Sequence, residues 1–238
     1  MHAIRGRLAA VGLGVAVALS ATGAAASTTV DLTFEGFHEG SRNVTIDAKV
    51  DGVDRDLRAA AGTFSISDTA ETFVAWCIDI TRRLHRRGTA REYARQKVLG
   101  DAARGRLQRL FDTAYAPDDV FASNINTAAF QVAIWDAIYD DDWDAGGADV
   151  SKDDYFRVID SRAQNYSEVL SKANAYLALA EDLSNPAPQR WTLTEFDGRG
   201  SGTQSLVTVA ATPLPGGVVL LLSGFGAAAA MRRRRKAA

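Results

Sequence analysis

Alternating apolar and polar positions predict β-strands at both ends of the middle part of the chain. In residues 28–36, the side chains of Val30, Leu32 and Phe34 fall on one face, as in a half-buried strand. Residues 72–80 form a run of aromatic and β-branched residues with strong β propensity. Together, such runs predict strands at 28–36, 43–50, 61–67, 72–80, 190–195 and 204–211.

Helical periodicity replaces this alternation between the two groups of strands. Apolar residues from Leu107 to Ala114 share a helix face, and Thr127 to Tyr139 form the next predicted helix. From residue 155 to 183, apolar side chains recur at helical spacing, which predicts one long amphipathic helix or two consecutive ones. The pattern therefore predicts an α+β domain at 27–211, in which antiparallel strands flank a helical insertion.

The first 26 residues have the features of a secretory signal peptide. Arg5 and Arg7 precede an apolar run from Leu8 to Leu19, and small residues ending at Ala26 follow. This order of a basic segment, an apolar segment and a small-residue cleavage site is typical of exported proteins. We expect signal peptidase to cleave after Ala26 and the body to lie outside the inner membrane.

The last 27 residues, 212–238, combine a short motif, an apolar run and a basic end. Pro213-Leu214-Pro215 precedes the apolar run at 216–231, a predicted transmembrane helix, and a basic stop follows it. The order resembles the PEP-CTERM class of bacterial sorting tails, most closely its VPLPA-CTERM variant. The resemblance implies processing by an exosortase- or archaeosortase-like transpeptidase, while a permanent tail anchor is the alternative. The basic stop consists of Arg232, Arg233, Arg234 and Arg235, with a lysine after them.

The charges of the chain are segregated. Seven of the 27 basic residues lie in 1–26 and 213–238, which contain no acidic residue, so 20 basic residues face 29 acidic ones in the body. The resulting net charge of −9 argues against non-specific nucleic-acid binding. A basic run at 82–95 is interpreted as a solvated face, with contact to an anionic glycan as the alternative.

The sequence predicts no metal site and no cofactor. Its three histidines and single cysteine lack metal-ligand spacing, and the acidic loop at 140–144 lacks the spacing of an EF-hand. The lone Cys77 also excludes an intrachain disulfide. A cysteine hydrolase using Cys77 and His85 remains an alternative, although their spacing specifies no catalytic geometry.

Cys77 and Gln131 are the most informative polar or reactive positions. Cys77 lies in a strand with two largely apolar faces, and Gln131 shares a helical stripe with Trp135 and Ile138. A buried amide without a partner costs roughly 1–3 kcal/mol. We therefore expect Gln131 to have a partner, through either a hydrogen bond or a covalent bond.

These residues resemble the thioester domains of bacterial surface adhesins. The resemblance rests on Cys77-Ile78-Asp79 and, downstream, on Gln131-Val132-Ala133-Ile134-Trp135, with Phe130 where the family often has threonine. It implies an internal thioester between the Cys77 sulfur and the Gln131 side-chain carbonyl, open to attack by a nucleophile. In this interpretation Asp79 assists proton transfer or orders the site, and Trp76 or Trp135 shields the bond from water.

The resulting hypothesis is an exported, sorted surface protein that binds or attaches covalently without turnover and is not an enzyme. Its partners are signal peptidase, the sorting transpeptidase and an unidentified surface or matrix target. The membrane holds it through the C-terminal helix until processing releases it to the cell surface or extracellular matrix. The first alternative is a structural surface or matrix protein of the same fold in which no thioester forms.

Overall fold

A computed structural model of the 238-residue chain describes residues 28–147, 155–159, 166–182 and 188–212. The predicted signal peptide lies outside the described residues. So do the sorting motif Pro213-Leu214-Pro215, the apolar run at 216–231 and the basic stop Arg232–Arg235. In the part of the chain that is described, no helix is both long and apolar enough to cross a bilayer.

The described chain combines nine strands with four helices. The strands are β1 (Thr28–Phe37), β2 (Arg42–Val50), β3 (Val53–Ala61), β4 (Phe64–Ser67), β5 (Thr72–Cys77), β6 (Ala90–Arg95), β7 (Tyr155–Ile159), β8 (Trp191–Asp197) and β9 (Leu206–Ala211). The helices are α1 (Asp101–Ala114), α2 (Pro117–Val120), α3 (Asn124–Tyr139) and α4 (Tyr166–Glu181). The prediction of antiparallel strands combined with helices is therefore confirmed.

The strands form a closed barrel and a separate small sheet. The barrel has the order β1-β4-β5-β9-β8-β6, and every neighbouring pair in it is antiparallel. The small sheet has the order β3-β2-β7. Closure leaves the barrel without open edges, whereas β3 and β7 are the two edges of the small sheet.

Helix α3 runs through the interior and carries one half of the predicted site. Its residues from Thr127 to Ile138 are all buried, as expected for a helix that is apolar around its whole circumference. The helix begins at Asn124 because the Ser123 side chain accepts a hydrogen bond from the Asn126 backbone N–H at 3.2 Å. This cap places the start of α3 three residues before the predicted one.

The region predicted as one strand at 61–67 contains the end of β3 and all of β4. Gly62 separates them, because a Cβ atom there would lie 2.7 Å from the Gly40 carbonyl oxygen. The prediction missed most of β3, because its charged and polar residues do not show the apolar alternation of a half-buried strand. It also missed β6, which lies within the basic run.

The helical prediction for 155–183 is wrong at its start. Residues Tyr155–Ile159 form β7, which pairs with β2, and the helix begins only at Tyr166. The apolar spacing fitted a helix, but the aromatic and β-branched side chains of 155–159 favour a strand, and pairing with β2 in the register Ala48↔Phe156 forms it. The described helix ends at Glu181, close to the predicted end.

Candidate thioester site

Strand β5 ends at Cys77, where the backbone meets the side chain of Gln131. The Cys77 N–H donates to Gln131 Oε1 at 2.9 Å, and Gln131 Nε2 donates to the Cys77 carbonyl oxygen at 2.9 Å. Both residues are fully buried. The amide therefore takes the hydrogen-bonding position that a neighbouring strand would otherwise occupy. The hydrogen-bond partner expected for Gln131 is the backbone of Cys77.

The chain turns after Cys77, which changes the predicted position of Asp79. The thiol donates to the Asp79 carbonyl oxygen at 3.3 Å, and the Asp79 N–H donates to Cys77 Sγ at 3.4 Å. Such a reciprocal contact requires a turn, so Asp79 does not continue a strand face shared with Cys77 as predicted. The main chain of Asp79, and not its carboxylate, contacts the thiol.

Burial raises the pKa of the Cys77 thiol to about 12, and nearby groups change this only partly. The Asp79 backbone and the Trp135 side chain both favour the thiolate, whereas the Asp79 carboxylate disfavours it. The Trp135 indole N–H is buried without a conventional hydrogen-bond partner among the described residues. Its contact with the thiol is therefore a weak one, and the thiol stays protonated at neutral pH.

The Asp79 carboxylate orders the turn that follows Cys77. Its Oδ1 accepts hydrogen bonds from the Thr81 N–H at 2.9 Å and from the Thr81 hydroxyl at 2.5 Å. Its Oδ2 lies 3.7 Å from Arg82 Nε. Of the two roles expected for Asp79, this geometry fits ordering of the site.

Tyr139, near the C-terminal end of α3, makes hydrogen bonds to the chain turn that follows Cys77. Its hydroxyl donates to the Ile78 carbonyl oxygen at 3.2 Å and accepts from the Ile80 N–H at 3.3 Å. Tyr139 was not among the site residues predicted from the sequence. The available signal was its position two helical turns after Gln131, which places both side chains on one face of α3.

The two tryptophans expected to shield the site lie in different surroundings. Trp135 lines a cavity together with Cys77. Trp76 instead packs in an aromatic cluster, with its ring centroid 5.2 Å from those of Phe111 and Tyr115. Neighbouring strand residues point to opposite faces, so Trp76 supports the core behind Cys77 and Trp135 covers the thiol.

A cavity of about 520 Å³ connects the Cys77 side to the surface. Cys77 and Trp135 contribute to its lining, and the β3 residue Arg58 and the loop residues Arg82 and Arg83 contribute exposed side chains. Cys77 itself has no exposed area. Cys77 therefore borders the cavity without being exposed to solvent.

His85 also lines this cavity, but its ring is engaged elsewhere. Nε2 accepts from the Phe34 N–H at 3.3 Å, and Nδ1 lies 3.3 Å from Thr203 Oγ1 and 3.4 Å from the Tyr93 hydroxyl. Burial, with Arg91 nearby, lowers the His85 pKa and favours the neutral ring. Within the described ranges, no group of three or more acidic, histidine or cysteine side chains is arranged to hold a metal ion.

Comparison with solved structures finds three similar chains, among them one streptococcal and one clostridial protein. One is the N-terminal domain of the Streptococcus pyogenes pilus tip adhesin Cpa, with a TM-score of 0.38 and 14% identity over 71% of this chain and 95% of that one. Another is the N-terminal thioester domain of a surface protein from Clostridium perfringens, in a cysteine-to-alanine mutant. Its TM-score is 0.39 and its identity 13%, over 70% of this chain and 99% of that one.

No protein-family model and no curated protein matches the sequence. Since TM-scores below 0.5 do not establish a shared fold, the function has to follow from the geometry around Cys77 and Gln131. The structure brings together four predicted site residues, Cys77, Gln131, Asp79 and Trp135, and places Trp76 behind them.

Proposed function

We propose that this chain is an exported bacterial surface protein in which Cys77 and Gln131 form an internal thioester for covalent attachment. The reciprocal pair of 2.9 Å hydrogen bonds carries the proposal, because it holds the amide of Gln131 against the residue that bears the thiol. Such fixed proximity is what makes attack on an unreactive amide feasible.

The formation step exchanges one bond for another. The Cys77 sulfur attacks the Gln131 side-chain carbonyl carbon, the S–C bond forms, the C–N bond breaks, and the thiol proton leaves with the ammonia. The Cys77 N–H already donates to Oε1, where negative charge develops during attack. Departure of ammonia removes the donor to the Cys77 carbonyl oxygen, so the step also has a structural cost.

The raised thiol pKa, about 12, fits a single slow event better than repeated turnover. Little thiolate exists at neutral pH, so attack is slow, but each molecule needs only one such event. Once formed, the thioester is a masked electrophile under Trp135. A nucleophile entering the cavity takes the Gln131 acyl group, and the Cys77 sulfur receives the proton.

Intact mass of the exported protein tests the proposal. The wild-type chain is expected to be lighter than the processed sequence by one ammonia, to resist alkylation at Cys77 after denaturation, and to release the thiol with methylamine. Cys77→Ala abolishes the mass difference, and Gln131→Ala restores an alkylatable thiol. Gln204→Ala is the matched control, because Gln204 lines the same cavity but bonds to the Arg82 carbonyl oxygen.

Full calculated mass together with a titratable Cys77 would contradict the proposal and favour the structural protein without a thioester. Turnover that requires Cys77 would instead favour the hydrolase. The contacts of His85 disfavour that second alternative, because in the described chain its ring nitrogens contact Phe34, Thr203 and Tyr93, not the thiol.

The ends of the chain complete the proposal with a route to the surface. Signal peptidase removes residues 1–26, and an exosortase- or archaeosortase-like transpeptidase processes the tail at 212–238 after its apolar run has held the protein in the membrane. The order of Pro213-Leu214-Pro215, apolar run and basic end supports this route. A C-terminal epitope tag is expected to be absent from mature surface protein, and a retained tag would indicate a permanent anchor.

A further inference from the structure

The rim of the cavity above Cys77 is positively charged. Arg58 and Arg83 are exposed there and have no ion-pair partner among the residues the structure describes. Arg82 lies 3.7 Å from Asp79, which leaves its guanidinium only loosely paired. Asp56 is the single acidic side chain in the described lining. The rim therefore carries a net positive charge in a body that is acidic overall.

Aromatic rings from two adjacent barrel strands form one wall of the same cavity. Phe34 and Phe64 meet edge to face with centroids 5.5 Å apart, and Phe37 lies 5.4 Å from Phe64. Cavities with largely apolar walls and a few placed charged groups are typical of sites for small organic units. The wall suits the C–H faces of a ring, and the rim suits an anion, since arginine binds carboxylates in a two-pronged geometry.

We propose that this cavity binds carboxylated sugar units of an acidic polysaccharide and presents a hydroxyl group of the bound unit to the thioester. A hexuronate unit carries an anion and neutral nucleophiles on one ring, so its carboxylate can stay on the arginine rim while a hydroxyl faces inward. Polyamines and lysine side chains carry their nucleophile on a cation, which the rim repels. An acidic peptide also carries carboxylates, but its amine nucleophiles are positively charged and are repelled by the rim.

The covalent part of this inference rests on the proposed thioester, whereas the recognition part does not. In the covalent step, the hydroxyl oxygen bonds to the Gln131 acyl carbon, the C–S bond breaks, and the hydroxyl proton passes to the Cys77 sulfur. The products are an ester and a free thiol, with no further reactant.

Binding is tested first in the full exported chain with Cys77→Ala, which cannot form a thioester. Tetragalacturonate is the anionic probe, maltotetraose the neutral one and a chitosan tetramer the cationic one, each measured by titration calorimetry. Of the three tetramers, we expect only tetragalacturonate to bind, and added salt should weaken its binding.

The variants Arg58→Gln and Arg83→Gln should each weaken the binding of tetragalacturonate about tenfold, because each loses one charge-assisted contact. Arg86→Gln, an exposed arginine on the same loop outside the described lining, should leave it unchanged.

Equal binding of the three tetramers, no binding of tetragalacturonate, or an equal loss of binding in Arg86→Gln would overturn the inference.

The covalent step is tested by incubating wild-type protein with tetragalacturonate and measuring its intact mass. We expect the mass to increase by one tetramer and the Cys77 thiol to become free. Reaction with methylamine but no binding of tetragalacturonate would reject the acidic glycan and retain the thioester. Binding of tetragalacturonate by a chain of full calculated mass would retain the recognition and reject the thioester.

Discussion

Gln131 and Asp136 lie five residues apart on α3, and both are completely buried, yet their surroundings differ. Gln131 makes two hydrogen bonds of 2.9 Å to the backbone of Cys77. Neither carboxylate oxygen of Asp136 has a hydrogen-bond partner within the described residues. Burial raises the pKa of Asp136 well above its ordinary value, Asp142 and other loop aspartates add to the rise, and Arg106 opposes it.

The difference shows two ways of burying a polar group. An amide has a donor and an acceptor, so Gln131 can match a backbone N–H and carbonyl and becomes fixed in one orientation. An ionised carboxylate can only accept, and Asp136 has no described donor, so burial favours its protonated form. Two hydrogen bonds thus fix the orientation of the Gln131 amide, as a reactive site requires. The raised pKa of Asp136 instead makes the free energy of unfolding depend on pH.

The largest effect is expected from Gln131→Ala in a Cys77→Ala background, where no cross-link forms in either protein. The substitution leaves the buried backbone N–H and carbonyl of residue 77 without their partner and opens a cavity. We expect the free energy of unfolding to fall by about 3–5 kcal/mol, measured by urea denaturation. A fall below about 1 kcal/mol would mean that the two hydrogen bonds do not hold the site.

Gln131→Glu in the same background sharpens the comparison, because it places a carboxyl where the amide was. When protonated, the new side chain can still donate to the backbone carbonyl oxygen of residue 77; when ionised, it repels that oxygen. Burial raises the pKa of such a group, so stability should be retained at acid pH and lost as the pH rises. Equal loss at every pH would show that the carboxyl has left the amide's position.

An intermediate effect is expected from Asp136→Asn. Because the folded-state pKa is raised, the native chain binds the proton more tightly than the unfolded chain. The Asp136 contribution is complete below the ordinary value of 3.8 and is lost as the pH rises toward the folded-state pKa. The wild-type free energy of unfolding should therefore decline with pH more steeply than that of the variant, by on the order of 1–3 kcal/mol in total.

Denaturation curves at several pH values measure this difference. Asp54→Asn, at an exposed position on β3, is the control and should follow the wild-type curve. Parallel curves for wild type and Asp136→Asn would mean that Asp136 finds a hydrogen-bond donor in solution.

The smallest effect is expected from Tyr139→Phe, which removes a third polar group of α3. Loss of the contacts with Ile78 and Ile80 should cost about 1 kcal/mol of unfolding free energy. Because these contacts position the turn after Cys77, the fraction of exported protein that lacks one ammonia should also fall. Tyr155→Phe, which loses a hydrogen bond to Asp47 elsewhere, should match the stability loss but not the change in mass.

Much of the architecture was readable from local patterns. The alternation in 28–36 and 43–50 matches β1 and β2 closely, because a strand with one buried face repeats every two residues. Gln131 was expected to have a partner because an unpaired amide on an apolar stripe is costly. The resemblance of its motif and the Cys77 motif, 54 residues apart, to thioester domains supplied the pairing, and the hydrogen bonds place the two residues together.

Strands β3 and β7 show what local patterns miss. The charged sequence of the edge strand β3 is typical of a loop, and the spacing of apolar residues in β7 fits a helix as well as a strand. Each is a strand because β2 lies between them and pairs with both. That information is long-range, since hydrogen-bond partners in a sheet come from distant parts of the chain.

The sequence by itself determined the mixed strand and helix content and the segregated charges, because composition and periodicity are local properties. It paired Cys77 with Gln131 only through the resemblance of their two motifs to thioester domains, and the thioester itself stays a prediction. Tertiary structure alone decided that the main chain of Asp79 contacts the thiol, that Tyr139 holds the turn after Cys77, and that Arg58 from β3 meets Arg83 at one cavity. These features depend on where the barrel, the small sheet and α3 meet. Such meeting points arise from packing between distant segments, which no periodicity along the chain records.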